Sequence, residues 1–337
     1  MRKLLLGSTA IVAIAGLTTA ALADVSISAT SEFSMSSQES TIAASNGTYN
    51  AVDSEVHFKF STQTDNGLTV GYTTSLLSDA DAGGAATTNI DESYLTISGG
   101  FGKLVLGGVD SVGGTFAVTG DDLVAEESKA GVGTSATIST NADLAIGIND
   151  NIKVSYYMPA IGGFNAGVSF EDMGAAATAN TQTDITTFGA SYSMDLGGIA
   201  LTATAAKALQ ETAVGSSDNE ANNTAIKMVR GPLSIIASNG TYVSGAIENR
   251  SSSSVGISYK IDDAMTVAAF SNNNTDTADG AEAYDVSGAE LQYVIAAGLT
   301  AVINYEDFSY VDGTGGASNT GGADSGSATK FTLKAAF

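Results

Sequence analysis

The stretch Val56-His57-Phe58-Lys59-Phe60, followed by Thr64-Asp65-Asn66-Gly67, decides how the chain is read. Val56, Phe58 and Phe60 fall on one side of an extended backbone and His57 and Lys59 on the other, the period-two pattern of a half-buried strand. Asn66-Gly67 then supplies the residues that tolerate positive φ, so the strand ends in a tight turn.

The same pattern recurs along the chain. Val255, Ile257 and Tyr259 share a face in 254–259. Ile152, Val154 and Tyr156 alternate with Lys153, Ser155 and Tyr157, and Ile226 and Met228 flank Lys227. At the end, Phe331, Leu333, Ala335 and Phe337 alternate with Lys330, Thr332, Lys334 and Ala336. Helical periodicity is weak after residue 24. Further short turns are expected at 99–102, 159–162, 195–198, 230–232, 262–263 and 296–298. Between them lie polar segments rich in Gly, Ser, Thr, Asn and Asp, near 36–52, 79–90, 110–150, 172–183, 208–221, 240–250, 274–283 and 310–326. Seven short turns and eight long loops join sixteen strands and leave both termini at the short-turn end.

The expected fold is all-β: a 16-stranded antiparallel transmembrane β-barrel. Short connections at one end and long ones at the other are the asymmetry of an outer-membrane barrel. Closure has a physical cause, because an open sheet edge in hydrocarbon leaves backbone groups unpaired at several kcal/mol each. Overall hydrophobicity of only 43% is consistent with strands that face lipid on one side and water on the other. Phe101, Phe164, Tyr192, Tyr259 and Tyr293 lie beside short turns, where an interfacial aromatic girdle belongs. The competing reading is a soluble secreted sandwich, β-helix or adhesin array. A sandwich rarely needs so many strands, and a β-helix would show a period of about 20 residues.

Residues 1–23 are read as a signal peptide: Arg2 and Lys3, an apolar run from Leu4 to Leu17, and the small-x-small site Ala21-Leu22-Ala23. A membrane anchor is the alternative for this run, which is short and followed by small residues. The barrel then occupies 24–337. Of the 337 residues, 36 are Asp or Glu and 13 are Lys or Arg, a net charge of −23, which argues against nucleic acid as a partner. The absence of Cys excludes disulfides and thiolate chemistry, and the single His57 excludes a multi-histidine metal site.

Ser54–Phe60 with the turn at 64–67, and Tyr94-Leu95-Thr96-Ile97-Ser98-Gly99-Gly100-Phe101-Gly102-Lys103-Leu104-Val105-Leu106-Gly107, resemble early strands of alphaproteobacterial, Rhodobacter-type general porins. The strand count and the Phe337 ending extend the likeness over the mature chain. The resemblance implies a homotrimer in the bacterial outer membrane, in contact with its lipid. It also implies that the third loop, 110–150, folds into the lumen as a constriction. That segment holds Asp110, Asp121, Asp122, Glu126 and Glu127, and carboxylates lining a pore favour cations. A short helix is expected over 121–129, capped by Asp121. Related porins set bases opposite these acids; strand parity offers His57, Lys59 and Lys153, then Lys227, Lys330 and Lys334. The mature chain holds only Arg230 and Arg250, so the usual arginine cluster is missing.

The expected function is a water-filled channel for passive diffusion of ions and small hydrophilic solutes, cation-preferring; the alternative is a non-conducting surface or adhesin barrel. No enzyme is expected: there is no Gly-x-Ser-x-Gly elbow, and His57 lies mid-strand beside Lys59. No cofactor is expected. Calcium between acidic loops suits carboxylate oxygens, yet the sequence selects no ligand set, and 313–324 is one incomplete Gly/Asp repeat.

Overall fold

The computed structural model describes residues 24–41, 46–81, 87–126, 150–172, 184–211, 218–244, 248–276, 282–311 and 323–337. The described residues form sixteen strands: β1 (Asp24–Ser40), β2 (Gly47–Gln63), β3 (Thr69–Asp81), β4 (Thr87–Gly99), β5 (Gly102–Gly108), β6 (Ile152–Tyr157), β7 (Phe164–Asp172), β8 (Asp184–Asp195), β9 (Ala200–Gln210), β10 (Asn219–Arg230), β11 (Leu233–Ser244), β12 (Glu248–Lys260), β13 (Met265–Asp276), β14 (Glu282–Ala296), β15 (Leu299–Val311) and β16 (Asp324–Ala336). Helix α1 (Val112–Phe116) and a 3₁₀ turn (Gly120–Leu123) lie between β5 and β6. Residues 1–23, assigned to a signal peptide, lie outside the described residues.

Each strand pairs antiparallel with its sequence neighbours, and β1 pairs with β16 from Thr30↔Ala336 to Ser40↔Gly326, closing a barrel. Backbone bonds between Ala29 and Phe337 (3.2 and 2.8 Å) extend that seam to the last residue. All seven expected tight turns occur. At the first, Gly67 has φ of 83° and donates its N–H to Thr64 O at 2.9 Å, a conformation a β-carbon would strain.

Directly opposed residues share a face, so register assigns every strand's two sides. Ile27 opposes Phe58 while Ser28 opposes His57 and Ser26 opposes Lys59. The two faces invert the burial of a soluble protein. Ile226 is 60% exposed and Asn223, three residues before it on β10, is 0% exposed; Ile303 is 50% exposed and Asn304 is 0% exposed. The outer surface is therefore mainly apolar and the inner face mainly polar, with Ile236, Val302 and Phe308 among the apolar residues buried inside. Phe101, Phe164, Tyr192, Tyr259 and Tyr293 are all exposed beside the short turns, as a girdle requires.

One expectation is corrected. Three of the eight segments read as long loops are mostly strand and a fourth is half strand: β1 and β2 run through 36–52 save for 41–46, and β11 and β12 leave only 245–247 between them. The connections at 82–86 and 277–281 are short as well. Past the apolar belt both faces of a strand are wet, so Ser, Thr and Asn occupy both and the alternation that marks a strand disappears. The ladder continues through polar pairs such as Ser251 Oγ with Thr275 Oγ1 (2.9 Å) and Asn273 Nδ2 with Asp285 Oδ1 (2.8 Å).

Candidate functional site

Segment 111–126 lies against the polar inner face of the barrel, anchored on strand after strand. Ser111 caps α1, its hydroxyl accepting from Gly114 N at 3.1 Å. Val112 N donates to Ser169 Oγ on β7 (3.1 Å) and Gly113 N to Thr187 Oγ1 on β8 (2.9 Å). Val112 and Phe116 bury their side chains among Ile185, Ala206, Ala208 and Ala221, an apolar cluster on the inner wall; Phe270, Tyr284, Val286, Phe308, Tyr310 and Ala328 form a second one. Gly189 on β8 faces the Phe116 ring so closely that a β-carbon there would overlap it.

The chain then crosses to the next strands. Asn223 on β10 clamps Val118, donating to its carbonyl at 3.2 Å and accepting from its N–H at 3.1 Å. Gly120 N donates to Ser254 Oγ on β12 (2.7 Å), and Gly256 beside it leaves room for the Gly120 carbonyl. The 3₁₀ turn carries a capping box in which Thr119 N donates to Asp122 Oδ2 at 2.7 Å. This corrects the expected helix over 121–129 in its described part, 121–126; 127–129 lie outside the described residues. Thr119 is the N-cap, Asp121 sits inside the turn, and the turn ends at Leu123; the segment is held by side chains of the wall, not by a helical ladder of its own.

The most densely bonded anchor is at Ala125–Glu126. Both backbone N–H groups donate to the Glu290 carboxylate on β14, at 2.7 and 2.8 Å, and Gln292 Nε2 donates to it at 2.7 Å. Asn304 Nδ2 on β15 donates to Glu126 O at 2.8 Å. The Glu126 carboxylate meets Lys330 and Lys334 on β16, each at 2.5 Å, and Lys334 also reaches Glu32 on β1 at 2.9 Å. α1 packs on β6–β9 and the 3₁₀ turn on β11–β13, whereas neither packs on β1–β5. The segment thus lines one arc of the lumen and leaves β1–β5 as the opposite wall.

The remaining expected acids fall in different settings. Asp110, just past β5, is exposed; burial of part of its surface and the nearby Asp91 raise its pKa, with Lys153 opposing. Asp150 is raised for the same reasons, by burial and then by Asp110 and Asp91. Burial also raises Asp122, against the Thr119 bond that lowers it. For Glu126 burial is the largest influence and acts upward, yet the two lysines together outweigh it and leave the pKa below the ordinary 4.5. Asp121 is 4% exposed, and neither of its oxygens has a hydrogen-bond partner among the described residues. Glu127 lies outside the described residues, as does 127–149 of the segment expected to form the constriction.

Of the expected bases, His57 and Lys59 face the lumen from β2. His57 Nε2 lies 3.2 Å from Glu55 Oε2, and Lys59 lines a recess of about 430 Å³ with Ser26, Thr73 and Thr96. Lys153 is placed differently: its side chain has 0% exposure, with Nζ 2.6 Å from Val109 O and 3.7 Å from Glu171 Oε2. It holds the departure of the segment from β5 and does not reach open lumen. The lysines that meet loop acids are Lys330 and Lys334 for Glu126. Glu290, Asn304, Asn223 and Ser254 were not singled out from sequence; inward parity was their only signal, and many polar residues share it.

No group of three or more His, Cys, Asp or Glu residues among the described residues is arranged to hold a metal ion. No helix of the described residues is long and apolar enough to cross a membrane, which says nothing of a crossing by strands.

Comparison with known proteins places this geometry. No curated protein matches the sequence. Among solved structures, the anion-selective porin of Comamonas acidovorans is similar over 94% of this chain and 100% of its own, with TM-score 0.65 and 17% identity. OmpT of Vibrio cholerae, in its trimer form, covers 94% and 99% with TM-score 0.65 and 13% identity. A Rhodopseudomonas blastica porin mutant covers 93% and 100% with TM-score 0.61 and 17% identity. At these identities the likeness establishes the fold. The family described as Gram-negative porin matches residues 7–337, and with the closed barrel this makes the chain a member of that family, located in the bacterial outer membrane.

Proposed function

We propose that the barrel is a water-filled channel through which ions and small hydrophilic solutes diffuse passively, narrowed where segment 110–126 lines the wall. The observation that carries this reading is the string of bonds from Ser169 on β7 to Lys334 on β16. A stretch held at each of those strands is a fixed obstacle beside an open passage, so it sieves by size and needs no chemistry or energy input. The reading adds that the channel prefers cations. Asp110 and Asp150 contribute, with Asp91 and Glu55 close enough to act on Asp150. Glu126 contributes little because Lys330 and Lys334 neutralise it. The basic side of the passage in this reading is His57 and Lys59, with Lys153 confined to holding the segment.

The Comamonas relative is named as anion-selective, so selectivity is assigned from the charges of this chain alone. A homotrimer is proposed from the likeness to OmpT in its trimer form. The alphaproteobacterial, Rhodobacter-type affinity rests on the motifs at 54–67 and 94–107. Conductance in a planar bilayer with solutes of graded size tests the channel, and reversal potential in asymmetric KCl tests the preference. An absence of conductance favours a non-conducting surface barrel. Anion preference overturns the charge assignment.

A further inference from the structure

The inward-facing charges are sorted along the barrel axis. At the short-turn half stand bases: Lys103 directly follows Gly102, Lys227 lies near the end of β10 and Lys59 near the end of β2. Their inward direction follows from register, Lys103 opposing Ser98 and Tyr157, Lys227 opposing Ile236, and Lys59 opposing Ser26. At the long-connection half stand acids: Asp91 near the start of β4, Asp110 past β5, Asp150 just ahead of β6, Glu306 on β15 and Asp324 as the first residue of β16; Asp53 and Glu55 lie near the middle of β2.

The exceptions are held in pairs or clamps. Lys153 and Arg250, in the acidic half, lie against Glu171 (3.7 Å) and Asp276 (3.8 Å). Glu32 and Glu290, in the basic half, are held by Lys334 and by the backbone of Ala125 and Glu126. Lys260 is offset by Asp263 at 2.8 Å. The turn acids Asp65, Asp195 and Asp262 lie at the rim, beyond the wall.

We infer that the channel rectifies, carrying more current when the compartment on the long-connection side is positive; this rests on the channel reading above. Cations driven from that side enter through the acidic half, and anions driven from the other side enter through the basic half. Both accumulate in the middle, so the pore conducts well. At the opposite polarity each ion first meets wall charge of its own sign, the middle is depleted, and current falls. Screening sets the conditions: a Debye length of about 10 Å at 0.1 M salt spans such a pore, and about 3 Å at 1 M does not.

The test is single-channel current at equal and opposite voltages, with orientation fixed. The chain has no Cys, so Leu196→Cys in the exposed β8–β9 turn provides one thiol. Biotinylated and bound to streptavidin before insertion, it keeps the short-turn end on the side of addition. We expect a current ratio of about 1.5 or more at 0.1 M KCl, falling to about 1 at 1 M as the charges are screened. The triple variant Lys59→Gln, Lys103→Gln, Lys227→Gln should conduct with a ratio near unity. It spares Lys330 and Lys334, which hold the loop. Asp91→Asn with Asp150→Asn is the second variant, and should lower the ratio from the other end. A conducting wild-type channel with equal currents at 0.1 M, or with the larger current at the opposite polarity, overturns the inference and leaves the channel standing. Absence of any conductance in the folded barrel overturns the channel reading itself.

Discussion

Glu290 fixes the far end of the docked segment, and Glu290→Ala isolates its contribution. Its carboxylate accepts from Ala125 N at 2.7 Å and Glu126 N at 2.8 Å and is 4% exposed, so the bonds are shielded from water. Hydrogen bonds to a charged group contribute about 1.5–3 kcal/mol each, and an unsatisfied buried donor costs about 1–3 kcal/mol. The two overlap, because the N–H groups regain water when the tip lifts away. The net loss from the docked state is therefore about 3 kcal/mol, roughly a hundredfold in the docking equilibrium. The barrel ladder is untouched, so heat-modifiable gel migration should persist. Amide exchange of the peptide containing Ala125 and Glu126, in detergent micelles, should accelerate by up to about a hundredfold, the opening being local. Glu290→Gln keeps one acceptor oxygen and should fall between. Unchanged protection of those two amides in Glu290→Ala would refute the assignment of Glu290 as the anchor, leaving Asn304 and the lysines to hold the tip.

Acidification should act in two stages. Asp110 and Asp150 have raised pKa values, so they lose charge first, and cation preference should decline while the conductance level holds. Glu126 is depressed, so its contribution to docking is full above the ordinary 4.5 and is lost only as pH falls through its lower folded value. Current noise should rise in that second stage alone, and a permeability ratio that is flat between neutral pH and the onset of noise would refute the ordering. Lys153→Met should leave the Glu171 carboxylate buried without its ammonium, at a cost of about 3–5 kcal/mol, read as a lower heat-modification temperature. Its selectivity should match wild type, since Lys153 does not reach the lumen; a changed reversal potential would refute that. Gly189→Val should push Phe116 from the wall and accelerate amide exchange over 112–118, with the short turns unaffected.

The barrel was legible because two local signals repeat. Alternation such as Val56, Phe58 and Phe60 against His57 and Lys59 gives each strand a lipid face and a water face, and a slip of one residue would put His57 and Lys59 in hydrocarbon. Turn residues then count the strands from one end. What alternation cannot report is strand above the membrane. β12 between Asn249 and Ser253 and β13 between Ser271 and Thr275 are polar on both faces, so they read as loop although they pair throughout. The boundary drawn from sequence was the edge of the hydrocarbon, not the edge of the sheet.

The acids of the segment stand out in the sequence and their partners do not, and the reason is geometric. Glu126 stands in a long acidic loop, and its excess of carboxylates is visible by inspection. Lys330 and Lys334 are separated from it by some 200 positions and reach it only because β16 closes against β1. Glu290 carries no sequence mark of an anchor, since a carboxylate facing an acidic loop suggests repulsion. Its partners are two backbone N–H groups, which carry no mark in a sequence. The same blindness applies to Lys153, whose inward parity is right and whose exposure is nil: parity gives direction, while burial depends on Val109 and Glu171, which the return of the chain brings against it. In a hollow barrel an inward charge has two destinations, water or the docked segment. Which one it takes is set by where 111–126 lies, so charge selectivity becomes readable only once that path is known.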